Sequence, residues 1–534
     1  MTSRTLTLGG STYPLVLPSV RDPRLHVAAV IITVHVLGQV GLHFRVSVPQ
    51  ILAAILTTAI IEIVLTFRQA RTFVWPASAM LTGSGVALIL RVVGTRPDDP
   101  WNTADWYVFA GIAGLSLLTK YVIRYRGTHV FNPSNIGLVL AFVVLGSTRI
   151  EPLDFWWAPL NSWMIAAYVV IVGGGLLITR RLRLLALAAT FWVALAAGTG
   201  LLAASGHCMT ANWAFAPVCG VDFWRVIVTS PEVMIFLFFM ITDPKTVPAG
   251  RVGRVAFGLL VAAASTLLMA PQTNEFATKV GLIAGLVAVC AARPLLDRLL
   301  PEPRSAADDL RRFASGLVVG RTAGSGILGV AAGRAAGRLA VALVAVLVFG
   351  VAVVAAGAPA RGSVVPDTTE MLDGVPRAVD PATLPSITVS QSVSDFDHVI
   401  AAAAPDILVT LAQNLEIENQ ALLRRDGNLL TAVDHGDRLK EMQGRLRDAQ
   451  ASGRTVVAHY RFDTVHVSLI VPFGVQTGAS LGFQSQGTVT EETYDASGVL
   501  LSQQTSPYSV TFAVRRATGG RWLDVAVLPP GIGS

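Results

Sequence analysis

Charge is scarce in this chain. Of its 534 residues only 14% are Asp, Glu, Lys or Arg, while 52% are hydrophobic; a soluble protein of this length carries roughly a quarter charged residues. The deficit excludes an ordinary water-soluble protein over most of the length. His435, His459 and His466 lack a convincing nucleophile partner, so a soluble hydrolase is not expected. No cluster has metal-ligand spacing. No cleavable signal peptide precedes the first apolar run, so that run is expected to direct insertion itself. The formal net charge of +7 is modest for this length and calls for no nucleic-acid partner.

What is abundant is apolar sequence in runs of about 20 residues, each long enough to cross a hydrocarbon core of roughly 30 Å. Spans are expected near 26–44, 48–66, 73–93, 106–123, 131–148, 162–179, 184–204, 225–242, 255–270, 278–297 and 339–356. Alternate connections are basic: Arg68 and Arg71, Arg124 and Arg126, Arg180 to Arg183, Lys245 to Arg254, and the Arg-rich stretch 293–338. The opposite connections hold Asp98, Asp99, Glu151, Asp154 and Asp222. Because Lys and Arg concentrate in cytoplasmic loops, the expected protein crosses a bacterial-type cell membrane many times, with its N-terminus cytoplasmic and its tail outside. The lipid bilayer is its first partner. Cys208 and Cys219 share one outside loop where oxidation is permitted; they read as a disulfide or as two separate thiols. Cys290 lies in a span as a small buried residue.

Along the chain the expected parts are a cytoplasmic N-terminus (1–24), a ten-span core (25–299), a basic cytoplasmic linker (300–338), an eleventh span (339–357), a Pro/Gly/Ser-rich connector (358–390) and an extracytoplasmic α+β domain (391–534). The linker's "GSGILG" at 324–329 follows no strand, so it fails the context test of a dinucleotide fingerprint. The third and eighth spans resemble each other ("WPASAMLTGSGVALIL" and "TSPEVMIFLFFMITDP"), as do the fifth and tenth ("VFNPSNIGLVLA" and "EFATKVGLIAGL"). The partners lie five spans apart, and an odd offset gives an inverted repeat. The fold class is therefore a mainly α membrane protein with a 5+5 core, one further span and a small α+β tail. In that tail helical patterns cover about 394–425 and 436–451, the latter with Leu439, Met442 and Leu446 on one face. Strand patterns follow at 455–462, 464–473, 483–494, 507–517 and 521–528. The pattern resembles the cone-shaped nuclear-transport-factor-2-like folds. Outward-facing His466 alternates with Val465 and Val467.

Ionisable groups within spans are functional candidates by default. His35, Glu62 and Glu232 read as an ion pathway, although His35 also suits an interhelical hydrogen bond and Glu232 also suits a cap after Pro231. Glu275 and Lys279 have the spacing of a helical ion pair, and nothing near Glu62 in sequence neutralises it. Two helix breaks stand out. "HVFNPSN" at 129–135 places Pro where a helix start leaves the N–H unused anyway, with Asn132 and Asn135 beside it. "MITDPKTVP" stops the eighth span at Asp243-Pro244. Irregular backbone at membrane depth is tolerated where it lines a cavity, so two breaks in two halves point to one shared site.

"VFNPSNIG", followed about 105 residues later by "FLFFMITDPKTVP", resembles the RnfD/NqrB family of membrane subunits of ion-pumping electron-transport complexes. "PASAMLTGSGVALIL" and "ARPLLD" at 292–297 resemble that family's third-span and closing segments, over about residues 20–300. The "RDPRL" start is similar to the UnbU-like branch found with enediyne biosynthesis; the tail lies outside the family pattern. The resemblance implies a ten-helix inverted repeat similar to the urea-transporter fold, a flavin (FMN or riboflavin) and a redox partner subunit. The family's usual covalent FMN threonine motif is not found, so a flavin here would be non-covalent. Its ring needs an apolar, aromatic slot with a few donors. Thr82, Ser84, Phe131, Asn132, Asn135, Thr242 and Asp243 are the candidates, and the same residues suit a small-solute pore. The alternatives to a redox subunit are a cofactor-free permease-like protein and a membrane anchor displaying the tail, whose own ligand or protein partner is not named by the sequence.

Overall fold

In the computed structural model the residues described are 2–533 apart from 9, 43, 93–94, 96–98, 154–160, 306–307, 313–343, 363–371, 373–378, 472–478 and 518–519. Asp154, the "GSGILG" string and most of the basic linker fall outside them. The chain forms two compact units. One comprises Met1–His207 with Cys219–Arg361, the other Cys208–Val218 with Gly362–Ser534. The loop 208–218, expected within the core, therefore belongs with the tail.

The first unit is helical. Its helices are α1 (Pro23–Val40), α2 (Val48–Ala70), α3 (Ala77–Ile89), α4 (Trp106–Val122), α5 (Pro133–Leu145), α6 (Ser162–Arg181), α7 (Leu185–Ala204), α8 (Gly220–Thr229), α9 (Pro231–Ile235, continued by a π-helical turn at Phe236–Met240), α10 (Arg251–Met269), α11 (Glu275–Ala291), α12 (Arg293–Leu299) and α13 (Val344–Ala356). Six of these elements, counting α8 to the π turn as one, are long and apolar enough to cross a membrane; α11 with α12 makes a seventh, bent by 59°. By length and apolarity His398–Arg424 would also qualify. It carries Glu416 and Glu418, however, and its buried apolar face lies in the core of the second unit. Exposed Ile32, Val36, Leu56, Ile60, Val143, Val144, Val169 and Val193 stand on the outer faces of the first unit's helices. So much outward apolar surface suits lipid rather than water.

The spans are less uniform than expected. The third is a 13-residue helix, and the eighth breaks at Ser230-Pro231 and again after the π turn. An N-terminal hairpin, β1 (Thr2–Leu8) and β2 (Ser11–Leu17), adds the short parallel β3 (Phe73–Val74). Glu151 is not a solvated loop charge: it is buried and paired with Arg91, where β4 (Leu90–Val92) meets β5 (Ile150–Pro152). In packing, α2 lies on α3 and α4, α4 on α5, and α1 on α3. Likewise α7 lies on α8 and α10, α10 on α11, and α6 on α9. The close approaches also correspond. A Cβ on Gly137 would overlap Ser116 where α5 crosses α4, and one on Gly285 would overlap Ser265 where α11 crosses α10.

The second unit carries a five-stranded sheet: β6 (Ile387–Val389), β7 (Thr455–Ile470), β8 (Ser480–Tyr494), β9 (Leu500–Arg516) and β10 (Trp522–Leu528), antiparallel except for β6 on β7. The two strand patterns expected at 455–462 and 464–473 are one strand. The register shifts between Phe462 and Thr464, so the apparent interruption at Asp463 is a bulge. Helices α14 (His398–Arg424), α15 (Gly427–Val433) and α16 (Gly436–Ser452) cover the sheet. Met442 and Leu446 are buried on α16, while Leu439 is only partly so. From the loop, Phe215 packs edge-on against Trp522 and tilted against Phe396 in the core. Cys208 and Cys219 are disulfide-bonded and Cys290 is free.

Candidate functional site

Two helix starts frame the site. Pro133 occupies the first turn of α5, and the Asn132 side chain accepts from the Asn135 N–H, satisfying one of the bare donors of that turn. At α9 the same solution recurs with Ser230, Pro231 and the Val233 N–H. The π turn after α9 widens the helix, a distortion that collects at functional sites. Thr242 Oγ1 donates back to the Phe238 carbonyl, and Asn132 Nδ2 reaches the Met240 carbonyl at 3.3 Å. The fifth and eighth segments are thus joined where both are irregular.

Between them lies a cavity of about 560 Å³. Its apolar wall includes Leu81, Leu88, Ile235, Phe238, Phe239 and Met240; Thr82, Asn132, Ser134, Thr242 and Asp243 supply polar groups. At its mouth Arg24 pairs with Asp22 at 2.6 Å, a bond that holds the Asp22 carboxyl below its usual range. His129 Nε2 lies 3.0 Å from Asp243 Oδ2, and Lys245 stands beside them. Of the seven cofactor candidates, Thr82, Asn132, Thr242 and Asp243 line this space. The other three do not. Ser84 faces His35 at 3.4 Å, Asn135 donates to the Ile283 carbonyl, and Phe131 is half-buried in the turn before α5.

The three residues read as an ion pathway are each one step behind the wall. Glu62 is 2.9 Å from Lys120 Nζ, so it is neutralised after all, by a residue 58 positions away; Lys120 also reaches Ser78 on the cavity wall. His35 is buried against Ser84, next to wall residue Gly85. Glu232 is 3.3 Å from Lys279, which also binds Glu275 at 2.8 Å, so the expected helical pair is one side of a three-membered cluster. Glu232 and Lys279 line a void of about 40 Å³ that shares Leu88, Ile89, Ile235 and Met240 with the main cavity.

Sequence reasoning missed His129 as the partner of Asp243, although it opens the same motif, because the two lie 114 positions apart. It also missed the buried cluster of Glu418, Asp434 and Asp524 in the second unit, whose members are far apart in sequence and carry no local signal. His459 lies 3.2 Å from Glu416 and exposed His466 is 2.8 Å from the Thr388 hydroxyl. No family model and no curated protein sequence matches this chain.

Proposed function

We propose that the first unit is a redox subunit of the RnfD/NqrB type, holding a flavin non-covalently in the central cavity and passing electrons to a partner subunit, in the setting of natural-product biosynthesis of the enediyne kind. The observation that carries this reading is the cavity itself. Its volume lies within the 300–1,000 Å³ range of cofactor sites, and it combines an apolar wall with few polar groups. Phe238 and Phe239 offer faces for a flat ring, while Asn132, Thr82 and Thr242 offer donors and acceptors at its edge. The start of α5 offers backbone N–H groups to a phosphate, beside Arg24 and Lys245, whose charges are balanced by Asp22 and Asp243 in the same lining. A bound flavin would supply the electron-carrying chemistry; the chain's residues bind and orient it and keep water from the apolar side.

The matching helix contacts support a ten-helix inverted repeat. Shifting each span by five, with α8 and α9 counted as the single eighth span, converts the α2–α4 and α4–α5 contacts into α7–α10 and α10–α11. The test is an absorption spectrum of detergent-purified protein before and after acid precipitation. Flavin bands that move to the supernatant are expected. A colourless protein, expressed with ample riboflavin, overturns the reading.

A second reading has its own observation, the void at Glu232 and Lys279 that shares a wall with the cavity. In a permease this would be the far end of a solute or proton route. Proton-dependent uptake in vesicles by a flavin-free protein would establish it, and its absence would leave the anchor role.

A further inference from the structure

The second unit contains a constellation that the flavin reading does not use. Glu418 on α14, Asp434 at the end of α15 and Asp524 on β10 are all buried, and one oxygen from each lies within 4.8 Å of the other two. Their partners do not match their needs. Arg438 binds both Glu418 oxygens, through Nε at 2.8 Å and Nη2 at 2.5 Å. Asn414 Nδ2 gives Asp524 Oδ1 a bond of 3.1 Å, and Arg521 bonds Asn414 Oδ1. Asp434 is 1% exposed and neither of its oxygens has a hydrogen-bond donor; Asp524 Oδ2 has none either. Three carboxylates thus face the guanidinium of Arg438, bonded to Glu418, and the charge of Arg521 near Asp524, so negative charge still exceeds positive in a place where burying even one charge is costly.

We propose that Glu418, Asp434 and Asp524 form a divalent-cation site of the calcium class. Three buried acceptor atoms have no donor, and one proton shared by two of them leaves the third without, whereas a single cation would contact all three carboxylates. Oxygen donors without His or Cys select a hard cation. Calcium–oxygen distances of about 2.3–2.6 Å put ligands up to roughly 5 Å apart, which suits the 4.8 Å span; magnesium, at about 2.0–2.1 Å, would need them closer. The site ties together elements that otherwise meet edgewise. Asp434 and Asp524 form an isolated parallel bridge, and the His435 N–H donates to the Asp524 carbonyl at 2.8 Å. A cation there would pin the α15–α16 corner to the last strand.

The test uses the full-length protein in detergent, stripped with a chelator and titrated calorimetrically with Ca²⁺. One equivalent is expected to bind in the micromolar to millimolar range and to raise the unfolding temperature. Asp434→Asn should weaken binding at least about tenfold, while Asp437→Asn, on the exposed side of α16, should leave it unchanged. Absence of saturable binding by the wild type up to about 10 mM Ca²⁺ overturns the proposal and leaves buried protons as the neutralising charge. Binding that survives in Asp434→Asn overturns it equally, because the ion then sits elsewhere. Should Asp434→Asn fail to fold, Glu418→Gln takes its place, and the wild-type stoichiometry remains decisive.

Discussion

At the scale of single residues, the buried ion pairs of the membrane unit carry the sharpest consequences. Glu62 and Lys120 are each little exposed, and removing one partner strands the other. Glu62→Gln is expected to lower stability by roughly 3 kcal/mol, whereas Glu62→Leu with Lys120→Leu should be near neutral, because replacing both charges avoids the stranded one. Thermal unfolding in detergent separates the two outcomes. His207 gives a pH dependence. It follows α7, is fully buried, stacks on Phe223 with ring centroids 4.5 Å apart, and has its pKa pulled down to about 4 by burial and by Arg361. A depressed histidine contributes stability that is present above its unfolded value of about 6.5 and is lost as pH falls toward the folded value. Between pH 7 and pH 5 the loss should reach about 2 kcal/mol. His207→Phe should flatten that part of the profile.

At the scale of elements, helix crossings depend on glycine where backbones meet. Gly137→Ala on α5 drives a methyl into Ser116 and should destabilise by about 1–3 kcal/mol, the usual cost of overpacking. Gly111→Ala on α4 meets nothing within 4 Å and should stabilise slightly through helix propensity. Opposite signs in paired thermal melts are the expected result. Element limits were largely legible in the sequence, since apolar runs, Asn132-Pro133 and Asp243-Pro244 are local signals. The departures arise where local pattern yields to tertiary geometry. Asp463 interrupts the alternation without ending β7, because a bulge absorbs it. The π turn at 236–240 has no distinct sequence mark within an apolar run. Pairs such as Glu62 with Lys120 or His129 with Asp243 span 58 and 114 positions, so nothing local announces them.

For the whole molecule, the loop 208–218 matters most. Its Phe215 is part of the core built around α14 and the sheet. Phe215→Ala should cost about 3–5 kcal/mol by opening a cavity, and a fragment comprising 362–534 alone should unfold at a lower temperature than the same unit in the full chain. Limited proteolysis of both forms measures this.

The shared unit also fixes a parity. Residues 208–218 and 362–534 fold together, so in a bilayer crossed by the first unit they are expected on one side, with an even number of crossings between them. The broken α8–α9 segment, α10 and the bent α11–α12 pair supply three crossings. Evenness demands a fourth, and α13 is the remaining apolar helix of ten or more residues there among the described residues, although its 13 described residues are short for a span. If α3, α4 and α5, which are shorter apolar helices, cross along with α6 and α7, five crossings put Gln69 on the opposite face from Asp222. A membrane-impermeant thiol reagent applied to sealed vesicles should therefore label Asp222→Cys and Ser497→Cys together and Gln69→Cys only after the vesicles are opened, or the reverse in inverted vesicles. Which segments share a face of the membrane thus becomes a matter of counting crossings.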